Sequence, residues 1–432
     1  MNRTAKLLII EVVVLSVITM LVSPGFLIRK PAVVQPPEVA VMRIDLNDVT
    51  LTEIFDNGKE VKYEGNNLKL ESQGETFDFT DVQIKGRGNS TWSGLKRPFQ
   101  IKFKEKVNLL GLRARKKYIL LANARDHSLI RNTLMVDLAE MLEMNYGVRG
   151  EFVELFIDGD YQGLYYLTTK IEIGKNGVDL RDKYGVIFEY DDLNNGADTC
   201  YYSVSGGCLI LKDAVFEDDE EIKTKAVEDF MAEFDKLSLA AKKGDFAKVS
   251  EVIDVRSFAE YFLISEFAVN PDAYVSSFYF YKDGKSDKIH AGPLWDHDYA
   301  FANREWVWAS HENFYSPTEM TALREHVFSE KRKNTDKGKL LYYLAEMPEF
   351  REEVRKVFQE KMSGREWELK YRMIKEVLKI QEAALRDDKK WQKEPTFLKE
   401  IEYLYDWLDQ RFDCFEREYG KKKIEIGEPI EI

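Results

Sequence analysis

The chain has 432 residues, 44% hydrophobic and 13% aromatic, so it is long enough to bury a large core and too apolar to be a disordered tail or linker. A formal net charge of −13 argues against a nucleic-acid partner gripped through its phosphate backbone, and the acids are spread along helical stretches as a solvated face. The five histidines are scattered and there is no Cys-x-x-Cys, so a zinc site is not supported.

At the amino terminus, Arg3 and Lys6 precede an apolar run over residues 7–22, with Pro24 and Gly25 just beyond. Positive charge ahead of such a run predicts a signal peptide or membrane anchor over residues 1–30, with the rest of the chain outside the cytoplasmic membrane. Glu11 interrupts the run, which is shorter than the ~20 residues that span a bilayer unless residues 23–28 are included. Residues 31–38, with three prolines, read as an extended linker.

Residues 39–175 read as a β-rich amino-terminal lobe, strand-like from 39 to about 106. Alternation over 41–46, 79–85 and 99–104 predicts strands, the last with Phe99, Ile101 and Phe103 on one face and Gln100, Lys102 and Lys104 on the other. A helix is predicted over 126–144, capped by Asp126 or Ser128 and striped by Leu129, Ile130, Leu134, Leu138, Met141 and Leu142. Strands follow at 151–157, 161–167 and 186–190. Cys200 and Cys208 flank a hairpin-like segment, where a disulfide formed in an oxidising compartment and two free thiols fit equally well. The remainder, 176–432, is mainly helical, with helices predicted over 218–243, 255–269, 336–347, 350–362, 366–387 and 397–419.

An aromatic hairpin interrupts that helical part. Phe278 to Tyr281 reads as a strand, Asp283-Gly284 with Ser286-Asp287 as a turn, and Ile289 to Ala291 as the returning strand. Asp272 lies ahead of the first strand, and Asp296 and Asp298 lie just after the second, which brings distant acids to one end. Carboxylates in aromatic surroundings are costly unless paired, hydrogen-bonded or metal-bound. The layout over 270–300 suits phosphoryl transfer: one acid orients the attacking hydroxyl, and another holds Mg2+ on nucleotide phosphates. The order also follows the protein-kinase pattern of a catalytic Asp, a metal-binding residue five places on, here Ser277, and a second metal-binding Asp further along, here Asp296.

Upstream, Arg87-Gly-Asn-Ser-Thr-Trp92 follows a strand and offers backbone N–H groups and a guanidinium as an anion cradle. Taken with Lys96-x-Pro-x-x-x-Lys102, Leu120-Leu-Ala-Asn123 with Asp126 and Arg131-Asn132, Glu154 to Tyr165, and Asn270-x-Asp272 running to Pro293-x-Trp-Asp-x-Asp298, it resembles the CotH kinase family of atypical protein kinases. The resemblance covers roughly residues 80–303. It implies an α+β, two-lobed, protein-kinase-like fold with a β-rich amino-terminal half and a helical carboxy-terminal half. It also implies ATP, Mg2+ or Mn2+ as cofactors, and phosphorylation of Ser or Thr on a secreted or surface protein. Carried over, Asp272 is the catalytic acid and Asp296 a metal ligand, with Asp298 and Ser277 as further candidates. Arg87, Asn89 and Lys102 meet the nucleotide phosphates; Lys96 and Lys104 are rivals to Lys102, and Glu140, Glu143 and Glu154 are candidate partners for that lysine. Two departures stand out: Ser276-Ser277 where the family often has Asn, and Ala302 where it often has Gly. A hydroxyl is a poorer Mg2+ ligand than an amide carbonyl, which shifts weight to Asp298. Two other functions fit parts of the pattern: a non-catalytic surface or coat-assembly module, and a glycoside hydrolase using two of the three acids.

Overall fold

The computed structural model of the protein describes residues 39–88, 90–192, 199–216, 218–270, 272–274, 276–303, 316–318, 334–392 and 396–420. The predicted export segment and linker lie outside the described residues, among which no helix is long and apolar enough to cross a membrane.

The strand pattern of the amino-terminal half closes on itself. β1 (Ala40–Asp45), β2 (Lys62–Ser72), β3 (Glu75–Gly86), β4 (Phe99–Val107), β5 (Arg115–Leu121), β6 (Gly150–Ile157) and β7 (Asp160–Thr169) form a barrel in the order β1-β2-β3-β4-β5-β7-β6. β1 completes it by pairing antiparallel to β2 and parallel to β6, which removes both sheet edges. The alternation of β4 fills the interior: Phe99, Ile101 and Phe103 join Ile84, Tyr118 and Leu155 in the barrel core, while Lys102 and Lys104 stay exposed.

α1 (Leu51–Asp56) follows β1, and α2 (Arg131–Met141) lies between β5 and β6. The helix predicted from residue 126 begins five residues later for a local reason. The Asp126 carboxylate accepts from the N–H groups of Ser128 (3.0 Å) and Arg131 (2.9 Å), and Leu129 takes a left-handed φ of 62°. That side-chain turn competes with the helix and wins.

The carboxy-terminal half is helical around a second sheet that the sequence reading had only in part. Its strands are β8 (Val186–Tyr190), β9 (Tyr201–Tyr202), β10 (Cys208–Ala214), β11 (Phe278–Lys282) and β12 (His290–Ala291), in the order β12-β11-β8-β10-β9. Cys200 and Cys208 are bonded, with Cα atoms 5.5 Å apart, and Cys414 is a buried free thiol. The helices are α3 (Glu220–Lys243), α4 (Phe246–Val252), α5 (Val255–Phe267), α6 (Leu340–Ala345), α7 (Pro348–Lys361), α8 (Glu366–Trp391) and α9 (Phe397–Tyr419). Asp219, Asp245 and Asp254 cap the first three through their side chains. Apolar side chains from these helices, α2 and the second sheet form one large core, separate from the barrel interior. The result is a mixed α+β fold, β-rich first and helical second.

α8 is fastened to the barrel by a buried ion pair. Lys96 Nζ lies 2.7 Å from Asp387 Oδ1 and donates to the Leu164 carbonyl at 2.7 Å, while Asp387 accepts from the Leu164 N–H at 2.7 Å. The approach requires glycine at 163, where φ is 109° and a Cβ would collide with Asp387 Oδ1 and Trp391 Nε1. Asp387→Ala strands the Lys96 charge and a backbone donor in a dry place, so it should cost about 3–5 kcal/mol in urea unfolding. Lys96→Met combined with Asp387→Leu should recover much of that loss. A single-variant cost as small as that of an exposed surface pair would mean that this contact does not fasten α8.

Candidate active site

The register of the aromatic hairpin sets the site. Phe280 pairs with Ala291 and Tyr281 with His290, so the chain enters β11 and leaves β12 at the same end. Asp272 opens a single 3₁₀ turn, Asp272–Tyr274, before β11, and Asp296 follows β12. Ser277 and Asp296 both hold left-handed backbone, with φ of 55° and 64°. Non-glycine residues keep such conformations only where the surroundings enforce them, and they collect at functional sites.

The two acid-bearing loops are bonded to each other. The Phe301 N–H donates to the Ala268 carbonyl at 2.5 Å, and Asn270 Nδ2 lies 3.0 Å from His297 Nδ1. An amide nitrogen can only donate, so Nδ1 accepts and the imidazole proton sits on Nε2, which is buried and without a hydrogen-bond partner among the described residues. Burial pushes His297 down to about 3, and the ring is neutral. The His297 N–H in turn donates to Asn132 Oδ1 at 3.0 Å, and Asn132 is bonded to Asn123. Arg131 Nε donates to the Ala300 carbonyl at 2.9 Å, and Asn303 Nδ2 donates to the carbonyls of Arg125 and Asp298. The motif residues before and at the start of α2 therefore act as a cradle for the loop that carries Asp296 and Asp298.

Arg87 enters from the barrel side. It follows β3, its N–H is tied to the Pro98 carbonyl at 3.2 Å, and the next residue, Gly88, has φ of 85°. Trp92 anchors the same loop against Phe55 and Phe99, with ring centroids 5.9 and 6.3 Å away. The Arg87 guanidinium lies 5.4 Å above the Trp295 ring, and its Nη1 is shielded from solvent with no hydrogen-bond partner among the described residues. Burial pulls its pKa down, and the charge of Asp296 opposes that pull. Asp296 is exposed at the surface yet has many protein atoms around it; this desolvation raises its pKa while Arg87 lowers it.

Glu189 and Tyr279, paired across β8 and β11, line the same place. Glu189 is buried, bonded to Lys212 at 2.6 Å, and raised by burial against the pull of that amine. Lys170, half-buried, is pulled down by burial and by neighbouring Lys117 and Lys212. None of these follows from a local sequence signal. Glu189 sits in an unbroken apolar strand, and only the position of His297 between Asp296 and Asp298 could have drawn attention to it.

Of the residues expected from sequence, Arg87 and Asp296 come together. Asp298 and Ser277 are both buried. Asn89 and the side chain of Asp272 lie outside the described residues. Lys102 is exposed on β4, facing Gln83 on one neighbouring strand and Lys117 on the other. Lys96 is committed to Asp387, and Lys104 to Asp81. The three candidate acidic partners are engaged elsewhere: Glu140 with Arg149 and Arg372, Glu143 with Lys361, and Glu154 with Arg386.

Among the described residues no cluster of three or more Asp, Glu, His or Cys is assembled for a metal. Asp296 and Asp298 are hard oxygen donors in number and kind suited to Mg2+, which takes one or two carboxylates and completes its shell with substrate phosphates and water. Arg87 Nη1, without a hydrogen-bond partner among the described residues and near Asp296, fits a phosphate oxygen. Two strands, a glycine-flanked arginine loop and an acid-tipped aromatic hairpin thus bring the Arg87 guanidinium and the Asp296 carboxylate together. A family model described as CotH kinase protein matches residues 84–414, and the chain belongs to that family. No curated protein matches it.

The neutral state of His297 has a measurable consequence. Below the free-histidine value of about 6.5 the unfolded chain takes up a proton that the native state refuses, so stability falls as pH drops from there towards the folded value. In metal-free protein, His297→Gln should remove that share of acid sensitivity. Between about pH 6.5 and about pH 4, the unfolding free energy of the variant should fall less steeply than that of the wild type, by nearly one proton. Parallel curves of urea midpoint against pH would contradict a buried neutral imidazole.

Proposed function

We propose that the protein is an extracytoplasmic kinase, dependent on Mg2+ or Mn2+, that transfers the ATP γ-phosphoryl group to Ser or Thr of a secreted or surface protein. The observation that carries this reading is the Arg87 guanidinium. It is a cation with a shielded nitrogen that has no hydrogen-bond partner among the described residues, presented by a glycine-flanked loop near Asp296. A phosphate oxygen would give that nitrogen its missing acceptor. The barrel half (39–175) and the helical half (176–432) are read as two lobes with the nucleotide between them.

In this reading Asp272 accepts the proton of the attacking hydroxyl and aligns it. Asp296, with Asp298 and Ser277, would hold the divalent cation, which when bound neutralises charge on the phosphate oxygens. Arg87, Asn89 and Lys102 contact the phosphates, and Lys117, directly across from Lys102, adds positive potential on the same face. His297 keeps both loops in register without adding a charge of its own. The predicted export segment supports an extracytoplasmic site, and the Cys200–Cys208 bond fits an oxidising compartment.

The test is transfer from radiolabelled ATP with Mg2+ or Mn2+ to the protein itself and to surface-protein extracts. Asp272→Ala should retain metal-dependent nucleotide binding and lose transfer by roughly a hundredfold or more, the scale of removing a catalytic base. Asp296→Ala should lose metal-dependent binding as well. Wild-type protein that binds nucleotide and incorporates no phosphate would identify a non-catalytic surface module instead.

A further inference from the structure

Both acid-bearing loops rest on α9, which follows all the residues that suggested a site. Arg411, fully buried on α9, donates from Nε to the Phe267 carbonyl at 2.9 Å and from Nη2 to the Glu266 carbonyl, at the end of the helix that leads into Asn270 and Asp272. Its Nη2 also lies 3.6 Å from the Glu266 carboxylate. Further back on the same face, Tyr403 donates to the Ala302 carbonyl at 3.4 Å. Glu400 accepts from Arg131 Nη2 at 3.1 Å, and Arg131 in turn holds the Ala300 carbonyl. Between these contacts the Trp407 ring meets Phe267 and Phe301, with centroids 6.5 and 6.0 Å away.

The gripped carbonyls border the strained backbone. Val269, Phe301 and Ala302 have φ of 48°, 53° and 51°, in the left-handed region that disfavours side chains, a β-branched one most of all. Each lies within a few residues of a carbonyl held by α9, directly or through Arg131. Such conformations relax unless neighbours over-determine them. We infer that α9 is a brace for phosphoryl transfer: Arg411 positions the loop carrying Asp272, and Glu400 and Tyr403 position the loop carrying Asp296 and Asp298. These are positioning residues, and the inference rests on the kinase reading for its effect on chemistry.

Full-length Arg411→Lys, Glu400→Gln and Tyr403→Phe separate bracing from simple packing. Hydrogen exchange followed by mass spectrometry reads the brace without reference to activity. In Arg411→Lys, amides over 266–274 should exchange roughly tenfold faster, and in Glu400→Gln and Tyr403→Phe those over 296–303, with barrel amides unchanged. In the transfer assay Arg411→Lys should lower kcat with the KM for ATP unchanged. Glu400→Gln and Tyr403→Phe should instead raise the Mn2+ concentration for half-maximal transfer several-fold. Arg411→Lys retains a cation and tests geometry, so Arg411→Leu is the harsher control if Lys substitutes fully. Loop exchange as in the wild type in Arg411→Leu, Glu400→Gln and Tyr403→Phe, or variants that lower only the thermal midpoint while keeping wild-type kcat and metal requirement, would overturn the inference. Wild-type protein that transfers no phosphate sinks the kinase reading alone, and the exchange data still decide whether α9 braces the loops.

Discussion

The structure depends on keeping two acid-bearing loops at a fixed separation, and a short chain of buried hydrogen bonds does this. Asn270 holds His297, His297 holds Asn132, and Asn132 holds Asn123. Every member is neutral. That matters because the same place contains Arg87, Asp296 and Glu189, and a further formal charge would alter the affinity of the cleft for both cations and anions. Amide and imidazole groups give directional bonds at a smaller desolvation cost than ions. The β11–β12 register then sets how far apart the loops begin, and the bond from Phe301 to Ala268 closes the circuit.

Charged contacts appear one layer further out, where they join the two halves of the chain. Arg131 is sealed from water and compensated by Asp126 and Glu400, one from each half. Lys96 and Asp387 do the same between the barrel and α8. Removing one partner from such a pair leaves an uncompensated charge, so each pair penalises misdocking of a helix more than it stabilises correct docking. Specificity of assembly is therefore concentrated in a few long-range ionic contacts, while the apolar cores supply the bulk driving force.

Much of this was legible in the sequence where a local pattern existed. Period-two alternation identified β4 and its inward face, and the aromatic hairpin was found with its acids at one end. The helices over 220–243, 255–267, 366–391 and 397–419 match the predicted ones closely. What escaped lacked a local pattern. β2 carries register shifts on both sides of the buried Asn66, and β5 opens on Arg115-Lys-Lys, which reads as a solvated turn. β8, β10 and β11 form one sheet, although a long helical stretch separates β11 from the other two in the chain. At the site, Asp296 and Arg87 each sit in a compact motif, so the sequence singles them out as candidates. Glu189 and the His297 bonds carry no such signal, since which distant polar groups meet is decided by packing. The same limit applied to Lys96, where nothing local distinguishes a lysine that binds Asp387 from one that faces a nucleotide.

The charge pattern around Arg87 and Asp296 bears on what the proposed site can bind. Arg87 faces Asp296, and Lys212 faces Glu189, so cationic and anionic groups alternate and neither sign dominates. A lone phosphate entering beside Arg87 also meets Asp296, and a lone divalent cation beside Asp296 also meets Arg87; each alone is opposed by a like charge. Under the proposed function, a phosphate and a divalent cation arriving together would relieve both oppositions, the cation held by the acid and a phosphate oxygen by the guanidinium. In the proposed kinase, such a site would favour the metal–nucleotide complex over either component.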